Sequence, residues 1–207
     1  MTIMKSTLLI GMAVGLLAMT SCDEASRLAG KVEGTWKGEP TEILPAENEA
    51  AMTAMNAQLQ CTPTITFTRA ANTPGGNIAL EGVFTLTHDI TASSGLSATH
   101  ATVSGTLKAY GSWNAKDDDE ISVTFDRSKT QVEIIPSSLQ VAYLGMATDS
   151  VAPSQDELKA SIAPNIQATA QAIIATRLAS VNEFDDVQLR DNILTFEVND
   201  AHIRLAR

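Results

Sequence analysis

The sequence predicts a mainly β protein, an antiparallel up-and-down meander barrel of eight to nine strands with two helical insertions. Three observations lead to this prediction. Apolar and polar residues alternate from Thr62 to Pro136, which is the period of half-buried strands. Glycine and polar clusters separate these runs, and a helical period appears only at about 45–60 and 154–182. Alternation resumes after residue 182, so the final strands are expected to return to the sheet.

The alternation also predicts a register, because directly opposed residues of an antiparallel pair share one face. In the first hairpin the expected pairs are Leu86–Val103, Phe84–Gly105 and Gly82–Leu107 inside, with Thr85–Ser104, Thr87–Thr102 and Glu81–Lys108 outside. In the later hairpins they are Trp113–Ile121, Ala109–Phe125, Leu189–Leu194, Val187–Phe196 and Val198–Ile203, with Asp126 facing Lys108 and Glu197 facing Arg204. Large side chains would then cover mid-strand glycines, which curves a sheet and keeps it packed.

Two segments have the spacing of helices. The segment at about 45–60 has Pro45 in its first turn and three apolar residues on one face, Met52, Met55 and Leu59. The segment at 154–182 opens with the capping box from Ser154 to Glu157 and repeats apolar residues at helical spacing. Pro164 is expected to kink this second helix or divide it near Ala163.

The first residues have the pattern of an export signal. Lys5 is followed by an uncharged run shorter than the ~20 residues that span a bilayer core, and small residues precede Cys22. Residues 1–21 resemble a bacterial lipoprotein signal, which implies lipid attachment at Cys22 and anchoring in the cell envelope. Residues 22–30 would form a tether and 31–207 the barrel domain. Asp23 and Glu24 resemble the sorting signals of some Gram-negative lipoproteins, and we expect the outer membrane.

Composition limits the partners. The chain has 14 Lys+Arg against 24 Asp+Glu and a net charge of −10. Clustered Lys and Arg bind nucleic-acid backbones and anionic lipid, so neither is an expected partner, and membrane contact is expected through acyl chains on Cys22. With Cys22 lipidated, Cys61 remains as a small buried hydrophobe. The alternative is a plain secretory signal with a disulfide between Cys22 and Cys61.

The strand pattern, together with Gly34-Thr35-Trp36 near its start, resembles the lipocalin-like (calycin) lipoproteins of Gram-negative bacteria, whose functions are uncharacterised. In that superfamily a Gly-x-Trp lies on the first strand and its Trp closes the base of the barrel; Gly34 and Trp36 match it. The resemblance covers about 31–136 and 186–206. The sequence departs from the lipocalin pattern in two ways. Helical segments interrupt the meander, and the Thr-Asp-Tyr motif and the later Arg motif of lipocalins are not visible in the sequence.

Candidate catalytic and metal groups have simpler explanations. In the predicted hairpin His88 lies on the inward face, whereas His100 lies opposite Asp89 on the outward face. Two histidines on opposite faces of a sheet cannot bind the same metal ion. The run Asp117–Glu120 is contiguous and lacks the glycine of calcium loops, which favours a solvated turn. No Gly-x-Ser-x-Gly elbow is present. We therefore expect no cofactor, no bound metal and no enzymatic activity. A third hypothesis is a hydrolase that uses carboxylates in its loops, since such carboxylates need no local sequence motif.

The barrel interior is the remaining candidate site. Its expected ligand-binding residues are Trp36, Phe67, Phe84, Leu107, Trp113, Phe125 and Phe196. A barrel of eight or nine strands either is filled by side chains or holds one small apolar ligand. The first hypothesis is therefore a membrane-anchored barrel that binds a small hydrophobic ligand. The alternative is a filled-barrel structural or interaction module that contacts another envelope protein.

Overall fold

The described part of the chain, in a computed structural model, comprises residues 24–41, 57–91, 98–143 and 154–207. It contains two helices, α1 (24–32) and α2 (Gln155–Ser180). The strands are β1 (Gly34–Gly38), β2 (Ala57–Arg69), β3 (Gly75–Thr91), β4 (Ala98–Ala115), β5 (Ile121–Phe125), β6 (Gln131–Ile134), β7 (Gln140–Tyr143), β8 (Glu183–Arg190), β9 (Ile193–Val198) and β10 (Ala201–Ala206). One-turn 3-10 helices flank β6 on both sides.

Eight of these strands close into an antiparallel barrel. The hydrogen-bonded order is β1-β2-β3-β4-β5-β8-β9-β10, and β10 pairs again with β1. Apart from the excursion between β5 and β8, neighbours in the ring are consecutive in the chain, which confirms the expected up-and-down barrel of lipocalin-like type. The two shortest seams are β1–β10 and β5–β8, with two registered pairs each.

Strands β2, β3 and β4 continue beyond the ring and form what we call the upper sheet. In this region β4 pairs through Gly105–Lys108 with β6 and through Thr99–Thr102 with β7. The opposite end of the barrel, here named the lower pole, holds Gly34, the β2–β3 turn and Arg207. The two regions share one continuous cluster of buried apolar side chains.

Helix α2 covers the inner face of the upper sheet. It packs against β5, β6 and β7, and its buried apolar residues recur at helical spacing, namely Ile162, Ile166, Ala170, Ile173, Ile174 and Leu178. Gln167 accepts a hydrogen bond from the Ile134 N–H at 3.1 Å and donates one to the Val132 carbonyl at 2.6 Å. At the other side of the sheet, buried Arg177 donates to the Ala57 carbonyl at 3.0 Å. Helix α2 therefore forms side-chain hydrogen bonds to the backbone of both β6 and β2.

The sequence placed this helix correctly. The capping box is present, since the Ser154 hydroxyl accepts from Glu157 N–H and the Glu157 carboxylate accepts from Ser154 N–H. The sequence predicted a kink or a division at Pro164, and of these the division near Ala163 does not occur, because α2 remains continuous through Pro164. Proline removes one backbone donor, but apolar packing on both sides of it holds the helix together.

Neither α1 nor α2, the helices of the described residues, has the length and hydrophobicity that a membrane-spanning helix requires.

Residues 24–32 form a packed helix, where the sequence predicted a polar tether over 22–30. Ala25, Leu28, Ala29 and Val32 are buried in the barrel cluster. Their i, i+3, i+4, i+7 spacing gives a short helix one apolar face, which the polar residues between them conceal in the sequence. The folded domain therefore includes residue 24, and the described part of the proposed tether is wrong.

The expected helix at 45–60 is wrong over its last four residues. Ala57 to Gln60 belong to β2 and pair with β3, and Leu59 is buried on the inner face. The alternation of buried and exposed residues already begins at Ala57, before the Thr-rich run. Cross-strand pairing outweighs the local helix propensity of these four residues. The remainder of that segment, with Met52 and Met55, lies outside the described residues.

The register of the long hairpin is confirmed in every predicted pair. Leu86 faces Val103, Phe84 faces Gly105 and Glu81 faces Lys108. Hydrogen bonds on the outer face accompany it, Thr85–Ser104 at 3.4 Å and Thr87–Thr102 at 3.3 Å. In this register large residues lie opposite the mid-strand glycines of β3 and β4, as the sequence predicted.

Three later registers differ from the prediction. In β4–β5 the pairs are Trp113–Val123, Gly111–Phe125 and Ala115–Ile121, so Asp126 does not face Lys108. In β9–β10 the pairs are Val198–Ala201, Glu197–His202 and Phe196–Ile203, around a turn at Asn199 and Asp200 with positive φ at both. In β8–β9, Leu189–Leu194 is confirmed, but a bulge between Asp185 and Gln188 removes Val187 from pairing with Phe196. The shifts in β4–β5 and β9–β10 are of two residues, so the same side chains stay on the buried face. The alternation of apolar and polar residues therefore cannot distinguish the predicted register from the observed one.

Candidate functional site

The residues predicted to line the interior do lie in the core. Trp36, Phe67, Phe84, Leu107, Trp113 and Phe196 are buried, and Phe125 is half-buried against them. Aromatic rings within this set pack against each other: Phe67 meets Trp113 edge-on with ring centroids 5.3 Å apart. Such contacts stabilise a core beyond simple burial.

Phe184 on β8 is the interior aromatic that the sequence did not predict. Its ring stacks on Phe196 at 4.4 Å and meets Phe67 edge-on at 6.3 Å. Both Phe184 and Val187 are buried although they are three residues apart, because the bulge and the positive φ of Asp186 reverse the parity of the strand. A bulge carries no apolar signature, so alternation alone could not place Phe184.

Little space remains among these side chains. We call Phe67, Trp113, Phe184 and Phe196 the aromatic cluster. A pocket beside it has a volume of about 10 Å³ and is lined by Ile65, Leu80, Phe125, Val181, Phe184, Phe196, Val198 and Ile203. That volume is at the lower limit for a single water molecule. Side chains therefore fill this part of the barrel.

Trp36 and Arg207 close the lower pole. The Trp36 indole N–H donates to the Val32 carbonyl at 2.7 Å, and the Arg207 guanidinium lies 4.2 Å above the indole ring. Arg207 also donates to the carbonyls of Lys31 and Glu33, which ties the end of the chain to α1. Gly34 has φ of 127°, and a Cβ there would lie 2.8 Å from the guanidinium. The glycine of the Gly-x-Trp motif thus makes room for an arginine that the sequence did not reveal.

Cys61 is a free thiol on the inner face of β2, 2% exposed. It faces Phe84 and lies against Gly82, where a Cβ would be 2.5 Å from its sulfur. Burial raises the pKa of the Cys61 thiol to about 12, from 9.0. The thiol is therefore protonated at neutral pH and packs as a small hydrophobe, as expected from the sequence.

This pKa predicts a loss of stability at high pH. Between pH 9 and about 12 the unfolded thiol releases its proton while the folded one keeps it, so the free energy of unfolding should fall as pH rises. The expected slope is about 1.4 kcal/mol per pH unit. Urea unfolding of wild type and Cys61→Ala between about pH 8 and pH 10.5 measures it. The advantage of wild type over the variant should shrink above pH 9, and a constant difference would contradict the burial of the thiol.

The two histidines of the long hairpin lie on opposite faces, as predicted. His100 Nδ1 is 2.6 Å from the Asp89 carboxylate on the outer face. His88 faces inward opposite Ala57 and Ala101, and its Nδ1 is buried without a hydrogen-bond partner in the described residues. These positions keep the two imidazoles from a common ligand.

The acidic run forms the β4–β5 turn. Within the described residues, Asp117, Asp118 and Asp119 bring their carboxylates within 4.8 Å of one another. The Asp117 carboxylate accepts from the N–H groups of Asp119 and Glu120, at 3.2 and 2.9 Å, and so shapes the turn. Burial, and then the neighbouring Asp117, raise the pKa of Asp119. The acidic residues therefore form and shape the β4–β5 turn, in agreement with the turn predicted from the sequence.

Lys116 fixes this turn to β8. Its ammonium pairs with Glu120 and, at 2.8 Å, with Glu183. Hydrogen bonds to Glu120 and then Glu183 raise the pKa of Lys116 above its usual range. The ion pair reinforces the short β5–β8 seam from the solvent side.

The outer wall of the barrel carries an open groove of about 760 Å³, which we call the outer groove. Its lining is Thr68, Asn77, Ile78, Ala79, Tyr110, Gly111, Ser112, Thr124, Asp126 and Lys129. Tyr110 is 38% exposed, and its cross-strand neighbour is the small Ala79. The groove thus presents an aromatic ring beside uncharged polar groups.

Large exposed apolar side chains are few in the part of the chain that the structure describes. The large hydrophobic residues that the structure leaves exposed, within the described ranges, are Val83, Tyr110 and Ile135. Val83 faces Thr106 on the outer side of β3–β4, and Ile135 follows β6, where its N–H donates to the Ser104 carbonyl. Of these three residues, only Tyr110 lines the outer groove.

No protein-family model and no curated protein matches this chain. Its function therefore has to be inferred from its own side chains and their geometry. The kinship with lipocalin-like lipoproteins accordingly stays a proposal, whereas the closed eight-stranded barrel is a property of the structure itself.

Proposed function

We propose that this protein is a lipid-anchored module of the cell envelope whose filled barrel acts through its outer surface. The observation that carries the proposal is the packing of the aromatic cluster, which leaves a cavity of about 10 Å³. A pocket for a small ligand has ~300–1,000 Å³. The packing around this cluster therefore favours the interaction-module hypothesis over the hydrophobic-ligand hypothesis.

The amino-terminal sequence supports the anchoring part of the proposal. Residues 1–21 have the pattern of a lipoprotein signal, and Cys22 follows it. Helix α1 is packed from residue 24 onward. Two residues of extended chain span at most ~7 Å, so acyl chains on Cys22 would hold the start of α1 close to the membrane.

Metabolic labelling with a fatty-acid probe tests the anchor. Wild type should incorporate the probe and stay with the membrane fraction, whereas Cys22→Ala should incorporate none. Cys61→Ala is the matched control, because Cys61 is buried, and it should label like wild type. Equal labelling of wild type and Cys22→Ala would contradict lipidation at this residue.

Native mass spectrometry tests the filled barrel. The mature chain from residue 22 with Cys22→Ala should have the mass of the polypeptide alone. A co-purified lipid or other apolar molecule that survives desolvation would overturn the filled-barrel hypothesis and favour ligand binding inside.

A further inference from the structure

We propose that the outer groove binds a neutral oligosaccharide, with Tyr110 stacking on one sugar ring and a row of polar side chains hydrogen-bonding to the hydroxyl groups. This inference rests on the proposed function in one respect only, that the barrel acts through its outer surface.

The polar row crosses four strands in register. Thr68 faces Asn77, Asn77 faces Ser112, and Ser112 faces Thr124. Neighbouring strands lie ~4.8 Å apart, so the row presents a hydroxyl or amide group at each step over ~14 Å. This step is comparable with the length of one hexose residue, and successive sugar units can therefore meet successive side chains.

The groups of this row are available to a ligand. The side chains of Thr68, Asn77, Ser112 and Thr124 form no hydrogen bond with any part of the chain that the structure describes. Three hydroxyls and one amide can each donate and accept. A sugar hydroxyl has the same dual capacity, whereas an apolar ligand would leave these groups unpaired.

Tyr110 supplies the stacking surface. It lies two residues from Ser112 on β4, which places its side chain on the same outer face as the polar row. Ala79 beside it is too small to cover the ring. The C–H groups on one face of a hexose form an apolar surface that packs on an aromatic ring.

The charges of the groove favour an uncharged ligand. The Lys129 ammonium is 3.2 Å from the Asp126 carboxylate, which also accepts from the Ser128 hydroxyl and N–H. The one cation and one anion of the lining thus neutralise each other. Neither an acidic nor a basic ligand would find an unpaired countercharge there.

Strand addition of a peptide does not fit this site. Recognition by strand addition needs a free strand edge. At the groove, β3 is paired on both sides through Asn77, and β4 is paired on both sides through Ser112. The groove therefore offers side chains, and not backbone groups, to its ligand.

The test is titration of the mature chain, residues 22–207 with Cys22→Ala, with maltohexaose, cellohexaose and chitohexaose. At least one should bind by calorimetry and shift amide NMR signals around Tyr110 and Ser112. Tyr110→Ala should weaken binding about 10-fold, while Tyr110→Phe keeps the ring and should stay within about 3-fold of wild type. Val83→Ala, exposed on the same wall outside the groove, is the matched control and should leave affinity unchanged.

Several results would overturn the proposal. They are no binding of any of the three sugars, shifts confined to residues outside the groove, or equal loss of affinity in Val83→Ala and Tyr110→Ala. Equal or tighter binding of an acidic heparin hexasaccharide would also overturn it, since the groove has no unpaired cation. None of these results bears on lipid labelling or native mass, so failure here is distinct from failure of the proposed function.

Discussion

Gly105→Ala should lower the free energy of unfolding by about 3 kcal/mol, because a methyl group at this position has no space. Its Cβ would overlap the Glu133 carbonyl oxygen of β6 and lie 2.6 Å from the ring of Phe84. A side-chain ring can move, but the carbonyl belongs to the backbone of a paired strand. Urea unfolding followed by tryptophan fluorescence measures the change.

Two variants separate this clash from a general effect of changing β4. Ala101→Gly removes a buried methyl from the same face of the same strand and should cost only about 1 kcal/mol. Adding Phe84→Leu to Gly105→Ala relieves the ring contact and leaves the carbonyl contact. The double variant should therefore stay well below Phe84→Leu alone. A Gly105→Ala protein as stable as wild type would refute the close approach of β4 and β6.

Trp36→Ala should cost about 3–5 kcal/mol, the range for removing a buried tryptophan. Trp36 is 0% exposed, donates to Val32 and lies under Arg207, so α1 loses its attachment together with the core contact. Urea unfolding gives the stability change. Limited trypsin digestion reports on α1, where cleavage after Arg27 and Lys31 should accelerate.

Trp36→Phe and Trp113→Phe form a matched pair of milder changes. Both tryptophans are buried, but only the indole of Trp36 is hydrogen-bonded, whereas Trp113 Nε1 has no partner in the described residues. Trp36→Phe leaves the Val32 carbonyl unpaired and should be the more destabilising by about 1 kcal/mol. Equal costs, or α1 cleavage that does not change in Trp36→Ala, would argue against the closure of the lower pole by Trp36.

The barrel could be predicted because its apolar period survives in the sequence. The β3–β4 register followed from parity with Leu86 opposite Val103, and it placed Phe84 opposite Gly105. The β4–β5 and β9–β10 registers could not be chosen, because a shift of two residues buries the same face. In β4–β5 the pairing of Ala115 with Ile121 centres the turn on Asp118, and the Asp117 carboxylate accepts hydrogen bonds from two N–H groups of that turn.

The candidate sites were predictable to different degrees. Inward residues followed from parity, except Phe184, which a bulge displaces. In the predicted β4–β5 register Ser112 would face Ser122, so the last member of the polar row, Thr124, could not be assigned from the sequence. Arg207 reaches Trp36 only after the barrel has closed, and such long-range contacts leave no local pattern.

The hydrogen bonds of α2 to β2 and β6 have a consequence for self-association. An open strand edge recruits further strands, and proteins usually protect such edges with charges, bulges or covering segments. Here the amide of Gln167 occupies the bonding positions of β6, and the guanidinium of Arg177 occupies one on β2. Detachment of one helix would uncover both edges at once. The protection of these two edges against pairing with other chains thus depends on how firmly α2 is held.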